Sequence, residues 1–268
     1  MTTRLLSATG NGGSVHALRA AAGVHRAGVN LTGTPIFRKP LLRDPASGIG
    51  RPQILVIITT FVVGLYADVH TNILGQLSVS ICVWALLFYL LNRVDRHQRY
   101  VLMACLTIAT AGEMFCSLSW GLYTYRLHNI PMFVPPGHVL LLLLGLAVAP
   151  RMTEVAARAI IGGAAIYALA GAATGVDTLA LPLFAALATA SLAMPRHRRL
   201  FASTFVLSLA LELYGTWLGN WAWSPTVPGM ALVTTNPPGV SGAFYCALDA
   251  MVAAASSLLV PRWTGSAV

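Results

Sequence analysis

From residue 53 onward the chain is a succession of apolar runs: 53–70, 73–91, 101–120, 132–149, 156–173, 178–194, 200–218 and 239–260. Each is close to the roughly 20 residues that carry a helix across a hydrocarbon core. The runs are continuous rather than alternating, so they read as helices and not as strands of a barrel. Only 9% of the residues are charged and the mean hydropathy is +0.71, whereas a water-soluble domain carries about 25% charge. The expected fold is an all-α integral membrane protein of about eight transmembrane helices.

The basic residues set the orientation. Arg93, Arg96 and Arg99, then Arg151 and Arg158, then Arg196, Arg198 and Arg199, then Arg262 all follow even-numbered runs. With the basic residues of the first 51 positions they place 16 of the 17 on one side and leave Arg126 opposite. By the positive-inside rule both termini face the cytoplasm, and a cytoplasmic (inner) membrane is the expected location. The net charge of +9 does not point to nucleic acid, because the arginines are scattered singly between apolar runs and form no stripe. Residues 1–51 hold no acid before Asp44 and no apolar run, and read as a disordered cytoplasmic tail; the same composition also fits an organellar transit peptide. The four cysteines, Cys82, Cys105, Cys116 and Cys246, lie in or beside apolar runs without metal-ligand spacing.

An internal repeat is visible. The second and sixth runs both end in Arg-His-x-Arg, a glutamate follows within the next run, an aromatic loop and a Pro-Pro-Gly come next, and both units close on Pro-Arg. Two four-helix units of parallel topology are expected, 52–151 and 152–262, before a short cytoplasmic tail at 263–268. In that alignment Glu113 matches Glu212, and His138 matches Asp249, each of the latter two standing twelve residues before its Pro-Arg.

Glu113, Glu212 and Asp249 lie inside apolar runs, where an ionisable group is costly and points to function. At 1.5 Å per residue the two glutamates are about 20 Å from the arginine flank. Asp249 and His138 are about 18 Å from their prolines by the same count. These four form the expected catalytic layer, with Asp68 and His70 at its edge. The alternative is that the carboxyls are neutral hydrogen-bonding glue between helices. The aromatic loops beside the layer, Trp120, Tyr123 and Tyr125 in one unit and Trp217, Trp221 and Trp223 in the other, are read as substrate-binding, against the alternative of an interfacial aromatic belt. Pro135, Pro136 and Gly137 precede His138, and Asn236 heads Pro237, Pro238 and Gly239. These motifs either line the mouth of a pocket or begin the fourth and eighth helices. No HExxH, Walker loop, GxGxxG or GxSxG occurs, and neither a metal nor a cofactor is expected.

The stretch Glu212-Leu213-Tyr214-Gly215-Thr216-Trp217-Leu218-Gly219-Asn220-Trp221-Ala222-Trp223 resembles a glutamate- and glycine-spaced segment of the membrane-bound carotenoid 1,2-hydratase family. The resemblance implies a polytopic enzyme of carotenoid biosynthesis acting on the end of a linear isoprenoid. A buried carboxyl would protonate an alkene, and tryptophan and tyrosine faces would stabilise the carbocation. The reading is therefore an enzyme on a membrane lipid or isoprenoid, by hydration, cyclisation or isomerisation. Its rivals are a proton-coupled transporter and a non-enzymatic membrane subunit, and a homo- or hetero-oligomer fits any of the three.

Overall fold

The computed structural model describes residues 49–259, so most of the expected N-terminal tail and the segment 263–268 lie outside the described residues. The chain is an all-α membrane protein: about 74% of the described residues are helical, and among them six helices are long and apolar enough to cross a bilayer. The elements are α1 (Arg51–Val69), α2 (Ile73–Leu91), α3 (Arg96–Glu113), β1 (Tyr123–Tyr125), α4 (Val134–Val148), α5 (Glu154–Thr174), α6 (Ala180–Ala193), α7 (Arg198–Leu218), β2 (Trp221–Trp223) and α8 (Gly242–Leu259). The shorter apolar helices are α6 and the part of α8 up to Ser256.

Local chemistry sets the boundaries. Asn72 and Asp95 cap α2 and α3 by accepting backbone N–H bonds, as Thr153 does for α5. Pro52 and Pro135 sit in the first turns of α1 and α4, where no N–H is missed. Gly219 ends α7 at φ +87, a left-handed conformation that costs glycine little. Of the two Pro-Pro-Gly motifs, the first opens α4 and the second stands in the loop ahead of α8. The third apolar run begins five residues earlier than hydropathy suggests, because Asp95 starts the helix inside the arginine-bearing stretch. Past Glu113 it widens into a π-helical turn, Met114–Ser119.

Four helices make the centre: α3 packs on α4 and α8, and α7 packs on α4 and α8. Outside them, α1 and α2 pair and lean on α4, while α5 and α6 pair and lean on α7 and α8. The arginines at the starts of α3 and α7 mark one end of this bundle; the other end is closed by β1 and β2, which pair antiparallel in the register Tyr123↔Trp223, Thr124↔Ala222, Tyr125↔Trp221. Side chains in a strand alternate between faces, so Tyr123, Tyr125, Trp221 and Trp223 share the inward face, and Thr124 and Ala222 point away. The burial pattern agrees, with both middle residues exposed.

Two buried aspartates pin the loops around this cap. Asp68, at the end of α1, accepts from Gln76 (2.9 Å) and Asn220 (2.8 Å), and the Arg126 guanidinium lies 3.6 Å from it. Arg126 also donates to the Asp68 and Thr71 carbonyls. Asp177 accepts from the backbone N–H of Gly239 (3.0 Å) and Ala180 (3.2 Å) and from the hydroxyls of Tyr167 and Thr235. A buried carboxyl held by donors from several segments ties those segments together, because each donor would otherwise be buried without a partner.

Candidate functional site

Each central helix sends one polar side chain into the space beneath the strand pair: Glu113 from α3, His138 from α4, Glu212 from α7 and Tyr245 from α8. The two carboxyls take up six donors between them. Glu113 Oε2 accepts from the hydroxyls of Tyr123 (2.9 Å) and Tyr125 (2.7 Å), and its Oε1 faces His138 Nε2 at 2.8 Å. Glu212 Oε2 accepts from the indole N–H groups of Trp221 (2.8 Å) and Trp223 (3.0 Å), and its Oε1 from the Tyr245 hydroxyl (2.7 Å). Thus each glutamate is held by the two inward aromatics of the strand that follows it and by one group from the next helix. The His138 and Tyr245 rings stack on one another, centroids 4.9 Å apart, and close the circle.

The geometry places the protons. An indole N–H donates only, so a proton on Glu212 must reside on Oε1, on the Tyr245 side. Burial, then the adjacent Glu113 charge, push the phenols of Tyr123 and Tyr125 far above their ordinary range, which keeps both hydroxyls protonated. The His138 Nδ1 is buried and has no hydrogen-bond partner among the described residues.

A cavity of about 220 Å³ lies against this network. Besides the polar groups its wall is apolar, with Phe61, Val83, Leu141, Phe244 and Leu248 among the lining side chains and no lysine or arginine. Gly112 of α3 and Met251 of α8 belong to the wall and are exposed. Two glycines of the Pro-Pro-Gly motifs help explain where the space lies. Gly137 lines the cavity, with Phe61 3.9 Å from where its Cβ would be, whereas the Tyr167 ring packs directly on Gly239, which does not line it.

Of the residues singled out by sequence, Glu113, Glu212, His138, Tyr123, Tyr125, Trp221 and Trp223 meet at this cavity. Asp249 does not line it. It is buried one turn beyond Tyr245 on α8, and its Oδ2 has no hydrogen-bond partner among the described residues. Asp68 belongs to the loop clamp, and His70 is exposed and stacked on Tyr66. Trp120 donates to the Pro228 carbonyl, Trp217 projects outward at 77% exposure, and Asn236 accepts the Trp223 N–H and so positions that ring's strand. Tyr245, Phe244 and Asp177 were not singled out. Among the described residues no three His, Cys, Asp or Glu side chains cluster as metal ligands.

No family model, curated protein or solved structure matches the chain. The functional reading therefore rests on the chemistry of this cavity.

Proposed function

We propose that the chain is a membrane-embedded enzyme that protonates an alkene of a lipid or isoprenoid, the reaction class of hydration, cyclisation and double-bond isomerisation. The observation that carries this is a pair of buried carboxyls, each fully engaged by neutral or imidazole donors, on the wall of an otherwise apolar cavity. An apolar substrate enters such a cavity from the bilayer, past the thin wall at Gly112 and Met251. The Oε1 proton of Glu212 passes to an alkene carbon, whose π pair forms the new C–H bond and leaves a carbocation on its neighbour. Rings of Trp221, Trp223, Tyr245 and Phe244 stabilise that cation. The Glu113–His138 pair then takes a proton, either from an attacking water or from the carbon next to the cation. Membranes of cells expressing the chain are expected to contain a hydrated or rearranged lipid that matched empty-vector cells lack, read by mass spectrometry of extracted lipid and pigment; identical profiles in a host making linear isoprenoids would reject the reading.

In the same proposal the chain is two four-helix units of parallel topology with both termini cytoplasmic. Supporting this, the pairings α3 with α4 and α7 with α8, α2 with α4 and α6 with α8, and the reciprocal α3 with α8 and α7 with α4 are those a two-fold axis through the strand pair would relate. Tyr245 rather than Asp249 does for Glu212 what His138 does for Glu113. A cysteine at Thr226, exposed beyond β2, is expected to react with an impermeant thiol reagent on intact cells, and one at Asn92 between α2 and α3 only after lysis. The reverse pattern would overturn the orientation.

A further inference from the structure

We propose that the cavity binds a hydrophobic ammonium ion, the head group of an alkyl-chained tertiary or quaternary amine. This deepens the enzymatic reading, because a carbocation is a cation of that shape, but binding needs no turnover. Three features converge on it. First, the wall holds two carboxyls and no lysine or arginine, and its one base, His138, is turned to Glu113. Glu212 has two indoles and a phenol for partners, none of which can supply a counter-charge. Glu212 therefore rests with its Oε1 proton in place, because an uncompensated carboxylate at this depth is costly, and it gives that proton up only when a bound cation stands opposite it.

Second, the polar edges of Tyr123, Tyr125, Trp221, Trp223 and Tyr245 are all committed to the carboxyls, so what these residues add to the wall is ring. Donation to a carboxylate also enriches the ring in electron density, which strengthens its attraction for a cation at the face. Third, the carboxylate oxygens already accept six hydrogen bonds. Hard ions such as Na⁺ or Ca²⁺ require a shell of free oxygen ligands and waters, which this wall does not offer; an alkylammonium, with its charge spread over methylenes, requires none. The volume of about 220 Å³ exceeds the roughly 150 Å³ of an apolar cavity that takes up benzene. That suits a head group, with the alkyl tail leaving past Gly112 and Met251 into the bilayer.

The test is equilibrium binding of radiolabelled dodecyltriethylammonium to the full chain in lipid nanodiscs, with displacement by the unlabelled compound, by its neutral isostere carrying carbon in place of nitrogen, and by NaCl. Saturable binding is expected, with the neutral isostere and sodium at least tenfold poorer as displacers than the ammonium. Phe244→Leu, which touches no hydrogen bond of the network, is expected to weaken binding about threefold, and Glu212→Gln by at least tenfold. Absence of saturable binding, equal displacement by the neutral isostere, or unchanged affinity in both Glu212→Gln and Glu113→Gln would overturn the proposal. The wild-type displacement series decides even where a variant does not fold. Lipid product is measured separately: binding without product removes the catalytic reading alone, and product without ammonium selectivity removes this inference alone.

Discussion

Glu212→Gln is expected to leave the fold standing and to lower product formation by at least about 100-fold, the low end of what a positioned acid contributes. The amide fits the same donors. Its carbonyl oxygen takes the place of Oε2 and accepts from Trp221 and Trp223, while its NH₂ faces Tyr245, whose hydroxyl turns from donor to acceptor. Every bond is kept and only the transferable proton is lost, so the melting temperature should change by no more than about 1 kcal/mol of stability implies. Glu113→Gln is a less even exchange. Its NH₂ would face His138 Nε2, which must then accept, and the ring proton moves to Nδ1, a buried atom without a partner among the described residues. That variant is expected to lose stability as well as product. Full product from Glu212→Gln in a normally folded protein would remove proton transfer from the mechanism and leave the carboxyl a structural acceptor.

The helices were legible because a bilayer permits little else: runs of the right length, broken by arginines, are close to the structure itself. That two glutamates would share a depth was also legible, since both stand about the same distance from an arginine flank. Which groups would hold them was not. Tyr123-Thr124-Tyr125 and Trp221-Ala222-Trp223 carry the period-two signal of a strand with two aromatics on one face, but three residues are too few to call a strand until a partner is in view, and the partner lies about a hundred residues away in sequence. Tyr245 carries no signal in an apolar helix, because a tyrosine there is unremarkable until its hydroxyl is seen to face an acid. Depth also fails to give azimuth. Asp249 shares the layer assigned from its distance to proline, but it turns away from the cavity. The tryptophans divide in the same way, with Trp217 facing outward and Trp221 and Trp223 inward. Asp177 lies in a loop, where an acid is expected to be solvated, and only the fold shows it buried beneath Gly239.

Gly215→Ala is expected to damage both fold and site, because the glycine is the floor on which Trp221 lies. Gly215 follows Glu212 by three residues on α7, so both face the same way, and the six-membered edge of the Trp221 ring rests where a Cβ would be. The ring has little room to retreat: Trp221 is buried, Tyr125 meets it edge-on at 6.1 Å, and its Nε1 is tied to Glu212 at 2.8 Å. Moving it far enough to admit a methyl group stretches that bond past hydrogen-bonding range, leaves the buried Trp221 N–H without its acceptor and leaves Glu212 Oε2 to Trp223 alone. Overpacking of this kind costs about 1–3 kcal/mol. Gly163→Ala on α5 is the control, since a Cβ there meets nothing within 4 Å and helix propensity alone favours the change by up to about 1 kcal/mol. The two single-atom-group additions should therefore shift the melting temperature in opposite directions, with product lost only in Gly215→Ala. Adding Trp221→Phe to Gly215→Ala restores space but not the indole N–H, so it should recover part of the stability and none of the product. Wild-type melting and full product in Gly215→Ala would mean that the Trp221 ring is free to move and that its bond to Glu212 does not set the site.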